Sequence, residues 1–147
     1  MSKYPKGNLA LILMLYTGMC SVKAQHVDLV IQNIRSAQGQ IIVAVFTDNY
    51  SYTRDEPLIR NRYAKTGLSG GTMHIQFSLK PGNYGLAILD DENLDDEMTT
   101  NLIGYPKEGY GFSDYYHSGF TRPDFNVFRF KLAEGQSKQA ITKIKYM

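Results

Sequence analysis

The sequence predicts an all-β fold, a single antiparallel, Ig-like β-sandwich of about seven strands with one long ordered loop. Three observations predict it. Beyond residue 25, apolar residues recur with a period of two, the connections are rich in Gly, Pro and Asn, and no stretch has a long helical period. Period two places alternate side chains on one face of a strand, and short strands with turn-rich connections are typical of sandwiches.

The N-terminus predicts a secretory signal peptide, residues 1–24, followed by one β-sandwich domain, residues 25–147. Lys3 and Lys6 precede an apolar run, and compact residues lead to an expected cleavage before Gln25. The run is shorter than the roughly 20 residues that span a bilayer. We therefore expect an exported protein, periplasmic or secreted, with no integral membrane segment after signal removal.

Removal of the leader changes the charge and the cysteine count. The chain has 16 Lys and Arg and 14 Asp and Glu, and the leader holds three Lys and no acid, which leaves 13 against 14. The small negative balance and export exclude nucleic acid as an expected partner. The single cysteine, Cys20, also lies in the leader, so the domain has neither a disulfide nor a thiol nucleophile. A lipid attached at Cys20 is disfavoured, because Met19 stands where a small residue is expected.

The strands follow in chain order. Two β-branched runs, residues 27–34 and 40–47, flank a short connector containing Gly39 and predict a hairpin. Residues 72–79 and 84–89 flank a Lys-Pro-Gly-Asn turn and predict a second hairpin. Weaker or later segments complete the sheet: residues 58–66, as a short strand or helical turn, residues 126–132 and residues 140–146.

Residues 90–123 form a predicted connection far longer than the 2 to 6 residues usual in compact domains, and such loops are often functional. Its first part resembles the start of a calcium loop, because carboxylates at alternate positions converge in a tight turn. The candidate ligands are Asp90, Asp91, Asn93 and Asp95. An EF-hand has Gly at its sixth position and Glu at its twelfth, where this chain has Asp96 and Leu102. The alternative is a solvated acidic turn at a sheet edge, and apart from Ca²⁺ at this turn no cofactor is predicted.

The second part of this connection is rich in aromatic residues and glycine, which favours an ordered segment. Exposed tyrosine rings offer apolar area with a polar end, and suit contact with an envelope protein, a peptide or a glycan. The alternative is that these rings pack the loop onto the sandwich. The candidate binding residues are Tyr105, Tyr110, Phe112, Tyr115 and Tyr116.

A catalytic function is not predicted. His117 lies near Ser113, Asp114 and Ser118 and would be the general base of a hydrolase if a serine were within hydrogen-bond reach. No nucleophile motif such as G-x-S-x-G accompanies it. The remaining hypotheses are an envelope binding or structural module and a Ca²⁺-binding module.

A longer motif resembles a known family. Residues 86–113, LAILDDENLDDEMTTNLIGYPKEGYGFS, are similar to the signature of the bacterial domain of unknown function 2141, and residues 39–46 and 79–88 support the likeness. The resemblance implies an exported, compact β-sandwich similar to transthyretin-like and carboxypeptidase-regulatory-like domains, with no established activity. Leu94 and Asp96 stand where that family usually has glycine. This difference weakens the calcium hypothesis, because glycine most readily adopts the positive φ of a wrapped loop.

Overall fold

The computed structural model describes residues 25–147, which form two β-sheets, and the predicted all-β sandwich-like fold is confirmed. The predicted signal peptide lies outside the described residues. The three-stranded sheet has the order β4-β1-β8, with β1 Gln25–Gln32, β4 Met73–Leu79 and β8 Lys138–Lys143. The five-stranded sheet has the order β3-β2-β5-β6, with β7 also paired to β5; its strands are β2 Gln40–Phe46, β3 Ile59–Ala64, β5 Gly82–Asp91, β6 Gly109–Phe112 and β7 Arg129–Leu132.

Alternation along the strands builds the core between the sheets. Val27 and Leu29 of β1 pack in one apolar cluster with Ile41 and Val43 of β2, and all four are at most 1% exposed. Side chains two residues apart on β1 and on β2 are therefore buried in the same core. Three short helical segments lie outside the sheets, α1 Asn49–Thr53 and the 3₁₀ turns Lys65–Gly67 and Phe125–Val127. No helix of the described residues is long and apolar enough to cross a membrane.

Both predicted hairpins are wrong. β1 pairs with β4 and β8, whereas β2 pairs with β3 and β5, so the connector between β1 and β2 passes from one sheet to the other. The same is true of the turn between β4 and β5. Alternation indicates which side chains of a strand face the core, but not which strand lies next to it. A short turn can join neighbouring strands of one sheet, as in a hairpin, or carry the chain from one sheet to the other. The pairing of β1 with β8 is parallel, unlike the other ladders.

The predicted 34-residue loop is interrupted by β6, which pairs antiparallel with β5. Alternation is hard to read in β6, because two of its four residues are glycines. These glycines let the C-terminal segment pack closely, since a Cβ on Gly109 would lie 2.3 Å from a Tyr146 ring carbon. The segments on either side of β6, residues 92–108 and 113–124, are the connections that remain.

A second apolar cluster covers part of the outer face of the five-stranded sheet. Tyr52 of α1 is 2% exposed and lies against Phe46 and Phe128, with ring centroids 5.3 and 5.0 Å away. Asp48 caps α1 by accepting a hydrogen bond from the Ser51 amide at 2.8 Å. The outer face is therefore apolar, and its uncovered part forms the floor of a groove.

Candidate functional site

The acidic turn, residues 90–97, sends its carboxylates in different directions. Asp90 continues the inward face of β5 and is fully buried. It forms an ion pair with Lys65, whose side chain is 1% exposed, and accepts a hydrogen bond from the Tyr146 hydroxyl. Burial, and next the hydrogen bond to Asp90, raise the pKa of Tyr146. Asp90 therefore points away from the other predicted metal ligands, as the alternation of β5 indicates.

Two further carboxylates of the acidic turn have arginine partners. Arg62 reaches both oxygens of Asp96, with its Nη2 donating at 2.9 Å, and Arg35 contacts both oxygens of Glu92. The hydrogen bond from Arg62 lowers the pKa of Asp96, and that from Arg35 lowers the pKa of Glu92. These acids are neutralised within the protein.

The carboxylates of Asp91, Asp95 and Glu108 converge on one point, and each offers an oxygen within 4.8 Å of the other two. Asp91 and Glu108 are buried. Among residues 25–147, no Lys or Arg forms an ion pair with any of the three. Backbone amides orient them, since Glu108 accepts from the amides of Glu92 and Thr99, both at 3.1 Å. The structure thus holds three clustered carboxyl groups in place without an ion-pair partner among residues 25–147.

The backbone of the acidic turn wraps around this cluster. The Asp91 carboxylate accepts hydrogen bonds from the amides of Asp95 and Asp96, both at 3.2 Å. Leu94 and Asp96 have φ of 63° and 67°, the left-handed conformation that glycine adopts most readily. The missing glycines therefore do not prevent the wrapped turn. Asn93 lies in the same turn, where its side-chain amide donates to Asp95 at 2.7 Å.

Glu108 was not among the ligands predicted from the sequence, yet its carboxylate lies in one cluster with those of Asp91 and Asp95. Glu108 immediately precedes β6, and the pairing of β6 with β5 brings it beside Asp91. Because β6 is hard to recognise from alternation, the position of Glu108 could not be inferred. The one local sequence signal for this position is an acidic residue immediately before the Gly-Tyr-Gly-Phe segment that forms β6.

A groove of about 910 Å³ lies between residues 95–123 and the outer face of the five-stranded sheet. Ala44, Ala87 and Leu89 belong to its apolar floor, and Arg60 and Arg62 of β3 to its polar rim. The lining also includes Tyr52 and His117, whose Oη and Nδ1 atoms are buried without a hydrogen-bond partner among the described residues.

The five predicted binding aromatics divide into packed and exposed rings. Phe112 is 7% exposed and packs on Phe128, while Tyr110 and Tyr115 are half-buried beside the same cluster. Tyr105 and Tyr116 are exposed, at 37% and 53%. Tyr110 and Phe112 line the groove. Packing and exposure, the two alternatives from the sequence, therefore both occur.

His117 does not meet a serine hydroxyl in the part of the chain that the structure describes. Its Nε2 donates to the Thr121 carbonyl at 2.5 Å. Ser113 is fully buried and its hydroxyl donates to the Phe128 carbonyl at 2.7 Å. Asp114 forms an ion pair with Lys138. Ser113 and Asp114, which would join His117 in a hydrolase triad, therefore each have another partner.

Two packed sheets, an apolar groove and a carboxylate cluster define an all-β, sandwich-like protein. The chain belongs to the family described as "Uncharacterized protein conserved in bacteria (DUF2141)", which matches residues 29–140 and confirms the resemblance. Neither a curated protein nor a solved structure matches the chain.

Proposed function

We propose that this protein is an exported, non-catalytic binding module of the cell envelope, and that its groove holds a segment of an envelope protein, peptide or glycan. The groove carries this proposal. It combines an apolar floor on a rigid sheet with a few charged side chains at its rim, the arrangement of ligand sites in which apolar contact supplies affinity and polar groups supply orientation.

The charges at the rim favour a ligand with polar groups of both signs. Arg60 and Arg62 lie beside Asp55 and Asp96, with which they form ion pairs. Arg122 lies over the Tyr52 ring at 3.9 Å and donates to the Tyr52 carbonyl at 2.6 Å. Such pairs can exchange partners with a ligand without leaving a buried charge. The Lys and hydrophobic pattern of the leader supports export.

Replacing Tyr110 with Ala should weaken capture of the envelope ligand roughly tenfold, as expected for an aromatic residue at the centre of an interface. The purified protein, immobilised on beads, would be incubated with solubilised envelope extract, and bound material quantified. Tyr50→Ala is the matched control, because Tyr50 is 67% exposed and does not line the groove. Leu89→Arg, which inserts a charge into the floor, should have the same effect as Tyr110→Ala. Undiminished capture by both groove variants, with unchanged Tm, would contradict the proposal.

We propose divalent-cation binding as a second function of the acidic turn, one that orders residues 91–108 beside the groove. Ca²⁺ takes six to eight hard oxygen ligands. Asp91, Asp95 and Glu108 supply three carboxylates, and Asn93 supplies an amide oxygen in the same turn. The hydrogen bond from the Glu97 amide, followed by that from Asn93, lowers the pKa of Asp95. That carboxylate stays ionised at neutral pH, so proton competition with the cation would begin only as pH falls below its ordinary pKa of about 4.

Calcium should raise the Tm of the protein and release or absorb heat in a calorimetric titration. Cation binding to the folded state alone stabilises it by about 2.7 kcal/mol at a concentration of 100 Kd. Asp91→Asn combined with Asp95→Asn should abolish the heat and the Tm shift, and Glu108→Gln should weaken both. Asp55→Asn is a control at an exposed acid outside the cluster. Absence of both signals in the parent protein would exclude this second function.

A further inference from the structure

A patch of exposed apolar side chains lies at the tip of the segment before β6. Leu102 is 107% exposed and Ile103 75%, and the nearby Phe120 is 77% exposed. The Tyr105 ring packs against the Phe120 ring, with centroids 5.8 Å apart. We refer to Leu102, Ile103, Tyr105 and Phe120 as the apolar tip. A group of large exposed apolar side chains is a candidate contact site on a soluble protein.

The apolar tip is held by a small hairpin over residues 99–107. The Lys107 amide donates to the Thr99 carbonyl and the Asn101 amide to the Tyr105 carbonyl, both at 2.8 Å. The Asn101 side chain accepts from the amides of Ile103 and Tyr105, both at 3.0 Å. The turn therefore has its backbone hydrogen bonds satisfied while two large apolar side chains project into solvent. Preorganisation of this kind lowers the entropy cost of binding.

Basic side chains lie beside the aromatic part of the apolar tip. Residues 98–107, 115–123 and 143–147 contain Lys107, Arg122, Lys143 and Lys145 but no Asp or Glu. Lys145 Nζ lies 5.7 Å from the Phe120 ring, and Lys143 Nζ lies 5.4 Å from the Tyr116 ring. Glu97 belongs to the acidic turn, and the other acids that border these segments are engaged elsewhere. Glu108 is buried in the carboxylate cluster, Asp114 forms an ion pair with Lys138, and Asp124 caps the 3₁₀ turn Phe125–Val127. The partner that complements the tip therefore carries negative charge next to an apolar phase.

We propose that the apolar tip docks the protein onto an anionic lipid surface, with Leu102 and Ile103 inserted at the acyl boundary and the lysines at the headgroups. Apolar insertion combined with basic residues is the arrangement of reversible interfacial binding. A stable protein interface buries roughly 800 Å² on each partner, more than the four side chains of the apolar tip offer. This inference goes beyond the proposed function, since Leu102 and Ile103 do not line the groove.

Sedimentation with lipid vesicles tests the docking. The purified protein should bind vesicles of phosphatidylcholine that contain about 25% phosphatidylglycerol, and should bind pure phosphatidylcholine and high-salt samples less. Leu102→Ser combined with Ile103→Ser should lower the partition coefficient at least roughly tenfold, with unchanged Tm. Leu58→Ser combined with Val127→Ser is the matched control, because those side chains are exposed (58% and 48%) and lie outside the tip. Equal binding by the tip variant and the parent would overturn the proposal.

The absence of tryptophan from the chain allows a direct test of insertion. Ile103→Trp creates a single fluorophore at the tip, and its emission should shift to shorter wavelength when the anionic vesicles are added. Leu58→Trp should show no shift. If the Ile103→Trp protein binds the vesicles but its emission does not shift, the contact is electrostatic only and the proposed insertion is wrong. Capture of an envelope protein through the tip without vesicle binding would also overturn it.

Discussion

Replacing Lys65 with Met is expected to lower the free energy of unfolding by roughly 3–5 kcal/mol, because it breaks a buried ion pair by removing one partner. The Lys65 ammonium also donates to the carbonyls of Ser36 and Gln38, at 3.0 and 2.6 Å. Without Lys65, both carbonyls lose this donor, and the fully buried Asp90 carboxylate keeps, among the described side chains, only the Tyr146 hydroxyl as a partner. Urea unfolding followed by circular dichroism measures the change.

Two variants separate the buried charge from other effects of substitution. Lys65→Met combined with Asp90→Leu removes both charges, and should be more stable than Lys65→Met alone. Arg54→Met breaks the Arg54–Glu56 pair, whose side chains are 55% and 57% exposed, and should cost at most about 1 kcal/mol. If Lys65→Met also lowered the free energy of unfolding by no more than about 1 kcal/mol, the buried pair would contribute little to stability.

Replacing Gly39 with Ala is expected to lower the free energy of unfolding by roughly 2–4 kcal/mol, from left-handed strain and overpacking together. Gly39 has φ of 74°, and a Cβ there would lie 2.0 Å from the Asp91 carbonyl oxygen and 2.6 Å from Glu92 Cα. Both contacts are with backbone, so the connector between β1 and β2 must move away from the acidic turn. Thermal and urea unfolding measure the loss.

Gly135→Ala supplies the matched control for this effect. Gly135 has a similar φ of 71°, but a Cβ there would meet no atom within 4 Å. It should therefore show only the conformational cost, about 1–2 kcal/mol. Gly39→Ala should also reduce the calcium-induced rise in Tm, because Gln40 beside it donates to Asp91 at 2.7 Å. Equal destabilisation by the two alanines would contradict the steric explanation.

These two sites show how the fold supports the candidate cation site. Asp90 and Asp91 are adjacent on β5 and face opposite sides of the sheet, so one carboxylate secures the core while the other joins the cluster. The same strand, β5, also pairs with β6, and this pairing places Glu108 beside Asp91. A protein that loses the Lys65 pair should therefore bind cation more weakly as well, because the turn is anchored through Asp90.

The sequence determined the β-class, the burial of alternate side chains and the family, because alternation and short motifs depend on neighbouring residues alone. It also located Asp91, Asn93 and Asp95 in one turn. The same alternation indicates that Asp90 points into the core, because Leu86 and Ile88 precede it on the buried face of β5.

Only the tertiary structure decided which strands share a sheet and which residues from distant segments meet. Crossovers in place of hairpins, the parallel β1–β8 ladder and the pairing of β6 all depend on contacts between segments far apart in the chain. So do the Lys65–Asp90 pair, the approach of Glu108 and the groove. The left-handed φ of Leu94 and Asp96 is instead stabilised within the turn, where hydrogen bonds from the amides of Asp95 and Asp96 to the Asp91 carboxylate offset the conformational strain.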